Sequence, residues 1–119
     1  MSANASAKKV YIAGPMSRGN RLANLNKGLT ACRILLEAGY APFCPMLSFF
    51  MAAFVDLDHQ QWMRADLPWV RSADAVLRLD GESVGADQET ALAEELGIPV
   101  FRSMDDLMQS MGCDSASGG

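Results

Sequence analysis

The chain has 119 residues, of which 50% are hydrophobic and 20% charged, and it carries a formal net charge of −4 at pH 7. That length supports one core and no second domain, and the negative balance argues against a broad nucleic-acid surface while leaving room for a small basic pocket. His59 is the one histidine, which removes histidine-rich metal sites; Cys32, Cys44 and Cys113 lack metal-like spacing and read as reduced thiols of a cytosolic protein; and no apolar run is long enough to span a bilayer.

Residues 1–7 are small and polar, unlike a signal peptide. Lys9 to Ala13 reads as a short strand stopped by Gly14-Pro15. A loop over residues 16–20 leads into a helix from Arg21 to Ala38, with a stripe of Leu22, Leu25, Leu29, Cys32 and Leu36 and with Gly39 as its C′ residue. Ala41 to Cys44 is a second strand closed by Pro45. Met46 to Val55 is apolar and aromatic, a short helix or a lid. Its Phe49, Phe50, Met51 and Phe54 suit the core or a subunit contact, or a nucleobase sandwich if they are exposed near a crevice.

Asp58 can cap the next helix, which runs to Ser72, although Pro68 predicts a kink or break near Leu67. His59 reads as a helix-start surface residue rather than a base. Trp62 and Trp69 share a face if that helix is continuous, and core packing is their expected role. Asp74 suits a strand edge or cap. Ala75 to Leu79 is the third strand, followed by a Gly81–Gly85 loop and a helix from Asp87 to Leu96. Ile98 to Phe101 is the fourth strand, Asp105 to Met111 a last amphipathic turn or two, and residues 112–119 a flexible tail.

Strands alternating with helices predict an α/β domain over residues 8–111, with flexible ends at 1–7 and 112–119. The expected architecture is a Rossmann-like or flavodoxin-like three-layer sandwich with a four- to five-stranded, mostly parallel sheet. Ligands of such sheets bind beyond the carboxyl ends of the strands. Two loops leave those ends here, Gly14–Asn20 and Asp80–Gly85, and both enter helix N-termini that favour anions.

Glu89 is the residue that stands out. It falls in the first turn of the helix predicted from Asp87, on the apolar stripe with Leu92, Ala93 and Leu96, opposite Asp87, Thr90, Glu94 and Glu95. A carboxylate on a buried face is expensive to desolvate, and the free N–H groups and positive dipole end of the helix can keep it ionised. It is a candidate nucleophile beside a glycine turn, or simply an N-terminal-turn acid that complements the dipole.

Three segments together resemble a known family. Tyr11-Ile-Ala-Gly-Pro15, Asp66-Leu-Pro-Trp-Val-Arg-Ser-Ala-Asp-Ala-Val76, and Ser83-x-Gly85-x-x-x-Glu89 followed by Ala93, Gly97, Pro99 and Val100 are similar to the nucleoside 2-deoxyribosyltransferases and the related 2′-deoxynucleoside 5′-monophosphate N-glycosidases and small phage and bacterial proteins. The resemblance implies that Glu89 attacks the anomeric carbon and that Asp66 contacts the sugar or protonates the base, with the Tyr11 hydroxyl orienting Glu89. It implies substrate contacts from Gly14, Ser83 and Gly85, with Met16, Arg18 and Gly19 in the first loop. Serine at 83 is what the monophosphate hydrolases carry where transferases tend to have an acid, and a hydroxyl suits a phosphate that a carboxylate would repel. Pro15 departs from those hydrolases, which tend to have serine there.

The resemblance also implies a homodimer or higher homo-oligomer, with Met104, Leu107, Met108 and Met111 as a candidate interface, and a small-molecule nucleoside or nucleotide as partner. No metal, cofactor, nucleic acid or membrane enters this reading. Each residue has a second reading: Asp66 as a solvated helix acid, Ser83 as a turn cap, Tyr11 as a core residue whose hydroxyl needs a partner. The chemistry asks for the same set, because an oxocarbenium-like state is stabilised and captured by one carboxylate while a second carboxyl gives a proton to the leaving base. A nucleotide-binding module without turnover is the alternative.

Overall fold

Strand β1 (Lys9–Ala13) is buried from Val10 onward, as a run flanked by strands on both edges and helices on both faces must be. The computed structural model describes residues 7–15, 19–44 and 54–112. After β1 the chain forms α1 (Arg21–Glu37), β2 (Ala41–Phe43), α2 (His59–Arg71), β3 (Ala75–Arg78), α3 (Val84–Glu95), β4 (Val100–Phe101) and α4 (Met104–Met111). All strand pairs are parallel, in the order β2-β1-β3-β4. Val10, Ile12 and Leu77 face Ala31 and Leu35 of α1 and Leu107 of α4, whereas Tyr11, Ala13 and Val76 face Val70 of α2 and Ala86 and Ala93 of α3. The result is the expected three-layer α/β sandwich with a four-stranded sheet.

Chain progression reverses between β1 and β3, because β2 adds to one side of β1 and β3 and β4 to the other. In doubly wound sheets that reversal opens a crevice beyond the strand ends. The two loops flanking it lie against each other: the Leu79 N–H donates to the Ala13 carbonyl at 2.7 Å.

Side-chain caps start the helices. Asn20, Ser83 and Ser103 each accept from the backbone N–H three residues on, and Asp58 and Gln61 form a reciprocal capping box. Gly39, at φ 94°, ends α1 as predicted.

Several boundaries and faces differ from expectation. Helix α1 buries Gly28, Ala31 and Leu35, while Leu22, Leu29 and Leu36 of the predicted stripe are exposed. The face with Gly28, Ala31 and Leu35 is the one turned to the sheet, which leaves the leucine row on the outer side. Helix α2 passes through Pro68 without a break; Pro68 is exposed in the last turn, where solvent can satisfy the carbonyl it leaves unpaired. Helix α3 begins at Val84 rather than Asp87, and it buries Thr90 while Leu96 is exposed. Strand β4 is confined to Val100–Phe101. Among the described residues no helix is long and apolar enough to cross a membrane, and neither Cys32 nor Cys44 is in a disulfide. The expected tail beyond Gly112, Cys113, and the Phe49, Phe50 and Met51 cluster lie outside the described residues.

Candidate active site

Alternation along β1 turns Tyr11 toward the α2–α3 layer, and there it meets Glu89. The Tyr11 hydroxyl donates to Glu89 Oε2 at 2.7 Å, with Tyr11 fully buried and Glu89 6% exposed. Because Ser83 caps α3, Glu89 falls in the second turn, past the free N–H groups of the helix start. The expectation that the helix N-terminus keeps Glu89 ionised is therefore corrected. Burial is the largest influence and pushes its carboxyl up to about 7; the Tyr11 hydrogen bond lowers it, the charge of Asp66 raises it, and that of Arg78 lowers it. Burial therefore makes Glu89 hold its proton to higher pH than a free glutamate does.

Asp66, midway along α2, is half-buried, and burial raises its carboxyl above the ordinary range. Burial and then the neighbouring Glu89 charge hold the Tyr11 phenol far above its usual value, so it stays a proton donor throughout. Tyr11, Asp66 and Glu89 arrive from β1, α2 and α3. The structure brings the three predicted catalytic candidates together.

An aromatic array continues outward from this pair. The Tyr11 ring stacks on Phe43 with centroids 5.4 Å apart, and Phe43 stacks on Trp69 at 4.9 Å. Trp69 is 54% exposed, so it packs across the sheet edge rather than in the core as expected. Trp62 is partly buried, and Phe54 is exposed.

The predicted substrate-contacting positions divide. Met16 and Arg18 lie outside the described residues. Gly19 adopts φ 71° on the surface and, among the described residues, nothing lies near a Cβ placed there, so its need for glycine is conformational. A Cβ on Gly14 would lie 3.0 Å from Leu79 Cβ, so the close approach there is between the two loops. Gly85 lies inside α3, where a Cβ would meet His59 Cε1 and Met63 Sδ at 3.4 Å, the contact that seats α3 on α2. Ser83 Oγ accepts from the Ala86 N–H at 3.0 Å and still has its own proton to give. His59 starts α2, with Nε2 2.9 Å from Gln88 Oε1, and Asp74 Oδ2 accepts from the Lys9 N–H at 2.8 Å, as a strand-end cap should. Pro15, the position that departs from the monophosphate hydrolases, is buried against Gly81.

Gly81 has φ 118°, and a Cβ there would sit 2.7 Å from Pro15 Cγ. Gly81→Ala is expected to lower unfolding free energy by about 2 kcal/mol in urea titration, through both the left-handed backbone and the clash. A change below a few tenths would show that the two loops are not held in contact.

Arg78, at the carboxyl end of β3, was not among the sequence candidates. It is 6% exposed on the Glu89 side of the sheet. Its signal was legible: a cation inside the apolar run Ala75-Val-Leu-Arg-Leu79 just before a glycine turn. An open hollow of about 430 Å³, lined by Lys27, Thr30, Leu77 and Arg102 among others, lies on the opposite face of the sheet and is not lined by Glu89. Among the described residues no group of three or more His, Cys, Asp or Glu could hold a metal ion.

The strand order and the crevice define a flavodoxin-like α/β protein with a buried Tyr–Glu pair at the switch point. The chain belongs to the family described as a domain of unknown function (DUF7768), which matches residues 8–103. No curated protein matches it. Among solved structures it is similar in fold to a 2-deoxyribosyltransferase from the psychrotolerant bacterium Bacillus psychrosaccharolyticus, at 23% identity and a TM-score of 0.57, over 77% of this chain and 69% of that one.

Proposed function

We propose that residues 8–111 form a catalytic unit that cleaves or transfers the N-glycosidic bond of a nucleoside or nucleoside 5′-monophosphate. The observation that carries this reading is the buried hydrogen bond from Tyr11 to Glu89 at 2.7 Å. A desolvated carboxyl with one oxygen fixed by a phenol is costly to keep in a core, and it is what capture of an anomeric carbon needs. The shared fold of the deoxyribosyltransferase and the matching order of the three sequence segments support it.

In this reading Tyr11 engages Oε2 and Oε1 forms the bond to C1′. The C1′–N bond breaks as that bond forms, through an oxocarbenium-like state stabilised by the Glu89 charge. Asp66, its carboxyl raised by burial, gives its proton to the departing base nitrogen. Water then attacks C1′ of the glycosyl ester, giving its proton to Asp66 and releasing Glu89; a second base in place of water gives transfer. Phe43 and Trp69 lie where aromatic surface meets the edge of the site, and the hydroxyl of Ser83 is placed at a helix start, where a 5′-phosphate is favoured.

Incubation with a panel of nucleosides and 5′-monophosphates, with chromatographic detection of free base, tests the reading. Base release that disappears in Glu89→Ala supports it. Tight binding without release across the panel would instead assign a nucleotide-binding module. Ser83→Asp is the sharper variant, because aspartate is as good a cap as serine and leaves α3 in place. It is expected to shift the ratio of kcat/KM for monophosphate over nucleoside by at least tenfold toward the nucleoside. An unchanged ratio removes Ser83 from phosphate recognition.

A further inference from the structure

The Arg78 guanidinium ties three segments. One Nη donates to the Leu79 carbonyl, and the other donates to the Gly81 carbonyl at 2.9 Å and to Asp87 Oδ1 at 3.0 Å. Asp87 lies in the first turn of α3, two residues before Glu89. One side chain therefore links the end of β3, the turn after it and the helix that carries the carboxylate. That turn is seated on the β1 loop by Gly81 against Pro15 and by Leu79 against Ala13.

A tie alone does not call for a buried cation. The Nε of Arg78 is buried and has no hydrogen-bond partner among the described residues, an unmet donor on a charged group. The ion pair returns little, because the Asp87 side chain is 73% exposed. An apolar plug of similar size would be at least as stabilising. The groups that face Glu89 are Tyr11 from β1, Asp66 from α2 and Arg78 from β3; His59 at the start of α2 reaches the adjoining Gln88, and Val100 and Phe101 of β4 carry no charge. Among the described residues Arg78 is the permanent cation in that shell. It occupies the role that the helix N-terminus would have filled had Glu89 lain in the first turn.

We propose that Arg78 is a positioning residue for Glu89: it fixes the β3–α3 turn so that the carboxylate meets the Tyr11 hydroxyl, and its fixed charge favours the anionic form from which attack begins. This rests on the assignment of Glu89 as nucleophile, and the measurement is chosen to be independent of turnover. The full chain is labelled with carbon-13 at glutamate Cδ, Glu89 is assigned by its loss in Glu89→Gln, and its titration is followed by NMR without substrate in the wild type, Arg78→Gln, Arg78→Lys and Asp87→Asn.

In Arg78→Gln the Glu89 midpoint is expected to rise by roughly one pH unit. In Asp87→Asn it is expected to fall by a few tenths, because the anion opposing Arg78 is gone. Opposite directions are the signature of charge, since a merely loosened turn would let water in and move both variants the same way. Arg78→Lys keeps the charge without the fork, and its midpoint is expected within about half a pH unit of the wild type. Should Arg78→Gln fail to fold, the lysine and asparagine variants decide. A midpoint unmoved in Arg78→Gln, a rise in Asp87→Asn, or a rise of a full pH unit in Arg78→Lys overturns the proposal. With a substrate in hand, the acid limb of kcat/KM should follow the NMR midpoint across the variants, and a limb that stays put also overturns it. Absence of base release from the wild type would sink the glycosidase reading and leave the titration result standing.

Discussion

Glu89→Gln is expected to cut base release a thousandfold or more and, at pH 8, to make the protein more stable. Glutamine has the same shape, and its Oε1 can still accept from Tyr11, but an amide oxygen does not form the glycosyl ester, so the loss falls on kcat and kcat/KM together. The stability gain follows from burial. The Glu89 carboxyl lies at about 7 in the folded chain against 4.5 for the free side chain, so the native state binds this proton more tightly than the unfolded state does. Its contribution is fully present below about pH 4.5 and is lost as pH rises through 7. Above that, the fold carries a buried anion at a cost of about 3 kcal/mol, from roughly 1.4 kcal/mol per pH unit of displacement. Removing the charge recovers up to that amount at pH 8 and almost nothing at pH 4. Urea titrations of both proteins at the two pH values check this. Retained turnover would place the nucleophile elsewhere, and a less stable glutamine variant at pH 8 would show that burial does not dominate the site.

The second large effect belongs to Tyr11→Phe. The wild-type kcat/KM for base release is expected to climb tenfold per pH unit on an acid limb below about 7, because only the carboxylate attacks, and to fall again at pH high enough to take the proton that Asp66 gives to the base. Phenylalanine keeps the stack on Phe43 but removes the hydrogen bond that holds Oε2 and favours the anion. The acid limb should therefore move to higher pH, and the maximum of the profile should drop by roughly ten- to a hundredfold through lost orientation. Leaving a buried carboxylate without its donor costs about 1–3 kcal/mol at pH 8 and less at pH 5, where Glu89 is protonated. A pH–rate profile with an unmoved limb would mean that the phenol is only packing.

Much of the architecture was legible because strands buried on both faces leave short apolar runs, and because the capping residues stand out. Asp58 and Ser83 cap their helices as their chemistry suggests, and Asn20 and Ser103, which the sequence reading did not single out, do the same. The start of α3 was misread because Val84 and Gly85 are weak helix formers. Packing of Gly85 against His59 and Met63 overrides that preference and moves Glu89 a full turn deeper into its helix. The burial face of α1 was misread for a related reason. Two periodic patterns overlap along it, Leu22, Leu29 and Leu36 on one side and Gly28, Ala31 and Leu35 on the other, and only packing on the sheet distinguishes them.

The amino-acid order alone determined the alternation of strands and helices, the parallel sheet and hence the crevice at its switch point, because each follows from local patterns and chain connectivity. It also singled out Glu89, to which the family resemblance added Tyr11 and Asp66. Only the tertiary structure decided what state those groups are in. The proton balance of Glu89 depends on how deeply it is buried and on what three other segments bring to it, a phenol from β1, an acid from α2 and the Arg78 guanidinium from β3. Burial and charge act through space, and so that balance is written in no single stretch of the chain.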